Sequence, residues 1–78
     1  MNNTFAVEAF RRRVLTDFPA HRIQYWQEPM AMRIEWALDF DGRTYETTLL
    51  LPPHLDAWKT LATWEHTVRS HIRREFAS

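Results

Sequence analysis

The sequence predicts a small two-layer α+β domain over residues 1–78, with the element order α-β-β-β-α. Both helices are expected to pack on one face of a three-stranded antiparallel sheet. Three observations lead to this fold class. Apolar residues alternate with small or charged ones from Met30 to Phe40, an Asp41-Gly42 pair follows, and helical periodicity flanks the strand region on both sides.

The first helix is predicted over residues 4–17, with Asn3 or Thr4 as its cap. Four apolar residues recur at spacings of three and four and form one stripe: Val7, Phe10, Val14 and Phe18. Pro19 ends this helix, because the residue before a proline avoids the α region. On the outer surface, Arg13 is expected to pair with Asp17 four residues later.

Three strands are predicted over residues 21–28, 30–40 and 43–51. In the central strand, the even positions are expected to face the core: Met30, Met32, Ile34, Trp36, Leu38 and Phe40. Asp-Gly favours a two-residue hairpin turn. That turn sets the pairing of the last two strands: Leu38 with Tyr45, Trp36 with Thr47, Ile34 with Leu49, and Met32 with Leu51. A shift of one residue would place polar side chains in the core.

The second helix is predicted over residues 53–76, because Pro52-Pro53 stops the sheet and proline is tolerated in a first helical turn. Its apolar stripe runs through seven residues: Ala57, Trp58, Leu61, Trp64, Val68, Ile72 and Phe76. A single helix of this length is long for so small a domain. A break near Thr63, which can cap a new helix, is the alternative.

Composition excludes several kinds of site. The chain has no cysteine, which excludes disulfides, thiolate metal sites and a cysteine nucleophile. Its single glycine excludes a glycine-rich phosphate loop. His66 and His71 are five residues apart on a helix and do not converge on one metal, so neither a metal nor another cofactor is expected. No apolar run is long enough for a membrane span, and a cytoplasmic protein without membrane contact is expected.

The α-β-β-β-α order is similar to that of double-stranded RNA-binding domains and of small HicA-type toxin nucleases. Where the RNA-binding domains carry a basic cluster, at the start of the second helix, residues 54–59 here are HLDAWK. The Gly-Ser-His motif of the toxins is absent as well. The resemblance is therefore limited to the order of the elements and implies no activity.

The candidate site is the outer face of the sheet. Trp26 is expected opposite Arg33, with Leu50 on the other side of Arg33. Tryptophan and arginine are over-represented in binding hot spots, although an Arg stacked on a Trp is also a common surface pair. The predicted protein-binding residues are Arg22, Trp26, Arg33, Glu35 and Leu50. The expected function is a non-enzymatic protein-protein interaction module, such as an adaptor, antagonist or inhibitor, which would suit a phage or mobile element. An exposed sheet edge and a homodimer are further interaction modes.

Two other functions are alternatives. A nucleic-acid-binding domain would use the arginine clusters on the helices: Arg11, Arg12, Arg13, Arg69, Arg73 and Arg74. A formal net charge of zero disfavours it. A small histidine-dependent hydrolase or nuclease is the third function considered. Glu65, His66 and Ser70 have the residue types of a triad, but neighbours on one helix cannot place nucleophile, base and orienting group in line.

Overall fold

The computed structural model describes residues 3–77. Its elements follow the predicted order: α1 (Thr4–Asp17), β1 (His21–Gln27), β2 (Met32–Phe40), β3 (Arg43–Leu51) and α2 (Ala57–Phe76). The sheet is antiparallel with the order β1-β2-β3, and both helices pack on one face of it. The predicted fold class is therefore confirmed.

The predicted register of the second hairpin is also confirmed, since Leu38 pairs with Tyr45 and Ile34 with Leu49. Asp41 and Gly42 form the turn with φ angles of 54° and 75°. This left-handed conformation is the one that a primed hairpin turn requires and that Asp and Gly tolerate best. The turn chemistry and the alternation of β2 thus specify the same pairing.

The two helices lie side by side and run in the same direction. Phe5 of α1 contacts Trp58 at the start of α2, and Phe10 contacts Trp64 one to two turns further along, with ring centroids 6.2 and 6.1 Å apart. Each helix covers the sheet edge nearest to it, α1 over β1 and α2 over β3. Neither helix of residues 3–77 lies on the opposite face of the sheet.

Trp36 occupies the centre of the core. Its ring lies edge-on to Phe10 and Trp64, at centroid distances of 5.7 and 5.5 Å. Its indole Nε1–H donates to His21 Nδ1 at 2.9 Å. Because this hydrogen bond uses the only polar atom of the indole, Trp36 is buried without an unsatisfied group.

The predicted core face of β2 was wrong at both ends. Met30 is 83% exposed and lies in the turn before β2, which begins at Met32. The backbone N–H of Glu28 donates to Ala31 O at 2.9 Å, so the chain reverses direction there and Met30 does not pair with β1. Phe40 is 59% exposed next to the hairpin turn and contacts Phe76 at the end of α2.

The second helix differs from its prediction in two respects. It begins at Ala57 rather than at residue 53, because Asp56 is the N-cap and accepts from the backbone N–H of Lys59 at 3.1 Å. It is one continuous helix to Phe76, so the alternative of a break near Thr63 was wrong. At α1, Asn3 is the N-cap residue but makes no side-chain capping bond.

Candidate functional site: the outer face of the sheet

The outer face carries the alternate residues of all three strands. Positively charged, negatively charged and uncharged side chains are mixed on this face: Arg22, Gln24, Trp26, Arg33, Glu35, Ala37, Glu46, Thr48 and Leu50. All five residues of the predicted protein-binding set lie on this face. Successive side chains of a strand point to opposite faces, so the alternation that buries Ile34 and Trp36 on the helix side places the five predicted residues on the outer face.

One row across the three strands contains both large apolar side chains of this face. Trp26 on β1 pairs with Arg33 on β2, which pairs with Leu50 on β3. Trp26 is 45% and Leu50 is 54% exposed. Neighbouring strands are about 4.8 Å apart, so the three residues span about 10 Å of surface. An exposed Trp and Leu on either side of an Arg form a compact, mixed apolar and cationic surface.

Arg33 is held by a carboxylate and is not stacked on Trp26. Its Nε donates to Glu28 Oε2 at 2.9 Å, and the cation-π contacts of residues 3–77 do not include an Arg33–Trp26 pair. The surface pair considered from sequence is thus absent. Both Arg33 and Trp26 keep exposed surface that a partner can contact.

A hydrogen-bonded network fixes the other end of the face. Arg22 Nη2 donates to Asp39 Oδ2 at 2.8 Å, and the Thr44 hydroxyl donates to Asp39 Oδ1 at 2.6 Å. The bonds from Thr44 and Arg22 hold the pKa of Asp39 below its usual value. This network joins all three strands and leaves Arg22 partly neutralised. Arg33 and Arg22 therefore both have an acidic neighbour.

The middle of the face contains a small depression. Ala37 is its smallest residue, and a depression of about 80 Å³ lies there, bordered by Arg22, Gln24, Glu35, Glu46 and Thr48. Small-molecule sites usually have a volume of roughly 300–1,000 Å³. The depression is too small for such a ligand, whereas a surface of mixed polar and apolar side chains is ordinary for a protein interface.

The arginines of the nucleic-acid alternative do not form one free basic patch. Glu8 lies within ion-pair distance of Arg11 and Arg12, at 3.6 and 3.8 Å. Glu65 lies between the helices and bonds both Arg13 and Arg69, the latter at 2.7 Å. The predicted partner of Arg13 was Asp17, which was wrong because the two helices bring Glu65 closer.

Arg73 and Arg74 are the two members of this set that form no ion pair within residues 3–77. They lie in the last turn of α2. The two predicted arginine clusters do meet in space, through Arg13 and Arg69. They meet at a shared carboxylate, which cancels much of their charge.

Two of the histidines have structural partners. His21 Nδ1 accepts from the buried Trp36, and His71 Nδ1 lies 3.1 Å from the Tyr45 hydroxyl. Burial, assisted by the nearby Arg69, lowers the pKa of His21. Of the residues with triad chemistry on α2, Glu65 is engaged by two arginines and Ser70 accepts from Arg73 at 3.3 Å.

Among residues 3–77, no three His, Asp or Glu side chains come together as metal ligands. No helix in that range is both long enough and apolar enough to cross a bilayer.

Other apolar residues are exposed outside the predicted protein-binding set. Met30 lies in the β1–β2 turn, at the same end of the sheet as Trp26. Trp58 is 56% exposed and contacts the exposed Phe5 on the helix layer. A groove of about 420 Å³ between β3 and α2 is lined by Leu49, Lys59, Thr60, Thr63, Trp64 and Thr67. The three threonines recur on one side of α2, and this spacing is the sequence signal that could have indicated the groove.

Comparisons with protein-family models, with curated proteins and with solved structures give no match for this chain.

Proposed function

We propose that this chain is a non-enzymatic protein-binding module that uses the outer face of its sheet. The observation that carries the proposal is the row Trp26–Arg33–Leu50, which holds two half-exposed large apolar side chains on either side of an arginine. A surface of this composition resembles the centre of a protein interface, where aromatic residues and arginine dominate the binding energy. The small volume of the depression around Ala37 also suits a protein partner better than a small-molecule ligand.

The distribution of charge supports the same proposal. Glu28, Glu35 and Glu46 are interspersed with Arg22 and Arg33 on or beside this face. A nucleic-acid surface would instead be uniformly basic. Mixed charges give a protein partner orientation and register. An adaptor, an antagonist and an inhibitor would all use such a face, and the identity of the partner would distinguish them.

The test is capture of a partner from the native host by the tagged chain, with Trp26→Ala as the variant and Trp58→Ala as the control. Both residues are half-exposed tryptophans, but Trp58 lies on the helix layer. Loss of a hot-spot residue costs about 2 kcal/mol or more, so Trp26→Ala is expected to weaken capture about thirtyfold. Trp58→Ala should leave it unchanged.

Thermal unfolding of the same variants separates binding from stability. Because Trp26 is half-exposed, its substitution by Ala should lower the melting temperature by only a few degrees. Capture that survives Trp26→Ala, or a collapse of stability in that variant, would refute the proposal.

Nucleic-acid binding is the second candidate, and Arg73 and Arg74 are the specific residues that favour it. If the captured partner is a nucleic acid, its affinity should fall by orders of magnitude between low and moderate salt. Arg73→Ala with Arg74→Ala should then abolish it, while Trp26→Ala should not.

A further inference from the structure

We propose that the free edge of β3, together with the groove between β3 and α2, binds an extended peptide segment of a partner as a fourth strand. The outer-face proposal uses side chains on the face away from the helices, whereas this one uses the backbone edge of β3 and the groove on the helix side, so Trp26→Ala and Thr63→Arg distinguish the two.

The free edge of β3 offers unpaired backbone groups. A two-residue hairpin makes Phe40 and Arg43 a hydrogen-bonded pair, and hydrogen-bonded and non-hydrogen-bonded pairs then alternate along the strands. The N–H and C=O groups that point away from β2 are therefore those of Thr44, Glu46, Thr48 and Leu50. Among the hydrogen bonds of residues 3–77 outside the helices and strand ladders, none reaches these groups.

The edge of β1 is different, because a side chain of the protein itself occupies one of its outward carbonyl groups. Arg11 Nε donates to the carbonyl oxygen of Ile23 at 2.8 Å. Within residues 3–77, β3 has no hydrogen bond of this kind, and its nine residues contain no proline or lysine. Covering groups, prolines and lysines protect an edge strand from pairing, and the charged residues of β3 are Arg43 and Glu46. The protection of β1 and its absence on β3 identify β3 as the edge open to another strand.

The groove lies where side chains of an added strand would point. A residue placed opposite Leu49 projects to the same face as Leu49, toward α2. There it meets the groove of about 420 Å³, which has Trp64 and Leu49 as its large apolar lining residues. Strand addition combines backbone bonds for affinity with a side-chain pocket for specificity. The residue opposite Leu49 is therefore apolar.

Charge complementarity defines a second position. Lys59 is the charged residue that lines the groove, and its ammonium forms no ion pair within residues 3–77. It lies in the first turn of α2, near the Leu51 end of β3. In an antiparallel peptide, the residue opposite Leu51 precedes the one opposite Leu49 by two positions. The ligand therefore has an Asp or Glu, then any residue, then an apolar residue.

A second copy of this chain does not suit the same edge. In antiparallel pairing of two β3 strands, the α2 helices would lie over strands about 4.8 Å apart, whereas packed helices need about 8–10 Å between their axes. An extended segment without a covering helix avoids this clash. The occupant is thus a peptide segment of another protein.

The test begins with selection from a phage-displayed library of random nine-residue peptides. Enriched peptides should share the acidic-x-apolar pattern, and a synthetic representative should shift the backbone amide resonances of Thr48 and Leu50. Methylating the backbone nitrogen of the middle residue removes a bond to β3 and should weaken binding at least about tenfold. Methylating the apolar residue, whose N–H points away from β3, is the matched control and should have little effect.

Variants of the protein complete the test. Thr63→Arg fills the groove from an exposed helix position and should weaken binding about tenfold, whereas the same change at the exposed Thr16 of α1 should not. The proposal is overturned if no pattern is enriched, if both methylations act equally, or if Thr63→Arg has no effect. It is also overturned if sedimentation shows a dimer that Thr63→Arg dissociates. Loss of peptide binding in Trp26→Ala but not in Thr63→Arg would assign the peptide to the outer face instead.

Discussion

Replacing Trp36 by Phe tests whether the core is organised around this residue. Trp36 is 1% exposed and contacts Phe10, Trp64 and His21. Phenylalanine preserves the aromatic ring but buries about 40 Å² less apolar surface. At about 25 cal/mol per Å², the lost burial costs about 1 kcal/mol. Loss of the bond to His21 costs about 1 kcal/mol more. Because His21 is only half-buried, water can replace the lost donor.

The expected loss in unfolding free energy is therefore about 2 kcal/mol. For a domain of this size, this loss lowers the melting temperature by about 10 °C. Urea unfolding followed by far-ultraviolet circular dichroism measures the loss without relying on tryptophan fluorescence. The control is Trp58→Phe, the same change at a residue that is 56% exposed, and it should cost less than about 0.5 kcal/mol. The reasoning is refuted if Trp36→Phe costs no more than the control does.

Two further predictions concern titratable groups. Burial lowers the pKa of His21 below 6.5, so the unfolded protein binds more protons at this residue than the folded protein does. The contribution of His21 to stability is therefore complete above pH 6.5 and falls as the pH drops toward the pKa of the folded state. His21→Asn keeps an acceptor for the Trp36 indole but cannot titrate. Measured by urea unfolding, the loss of stability between about pH 8 and about pH 5 should be smaller in this variant than in the wild type. Parallel curves of stability against pH for the two proteins would contradict this prediction. Hydrogen bonds from Arg13 and Arg69 hold the pKa of Glu65 below its ordinary value of 4.5, so its contribution is present above that value and is lost as the pH falls through the folded-state pKa. Glu65→Gln should lower the free energy of unfolding by about 1 kcal/mol at neutral pH, a value between those of exposed and buried ion pairs. The difference in stability between this variant and the wild type should shrink in acid. Glu8→Gln, at a more exposed carboxylate, is the control.

The central part of the sheet could be predicted from sequence because its signals are local and agree with one another. The alternation from Met32 to Leu38 specifies the buried face, and Asp41-Gly42 specifies the turn. The same rule failed at Met30, which lies in the turn before β2, and at Phe40, which lies beside the hairpin turn, because alternation gives the face of a strand but not where the strand and its buried part end. Local signals also failed at the start of α2. Pro52-Pro53 can begin a helix, yet the bond between Asp56 and Lys59 defines the actual N-terminus.

The candidate site could be predicted only in part, for the same reason. The row Trp26–Arg33–Leu50 follows from strand register, which a sequence encodes well. The groove beside β3 depends on where α2 lies over the sheet, and no local pattern gives that position. The ion pair between Arg13 and Glu65 joins residues 52 positions apart, so sequence spacing favoured the nearer Asp17 instead.

The sequence by itself determined the element order, the pairing of the last two strands and, apart from the ends of β2, the side chains on each face of the sheet. These properties depend on turn chemistry and on a period of two residues, which act over short distances along the chain. Tertiary structure alone decided that two parallel helices share Glu65, that Arg11 covers the edge of β1, and that the edge of β3 stays open beside a groove. Those features depend on how whole elements pack, which balances many weak contacts between residues far apart in the chain.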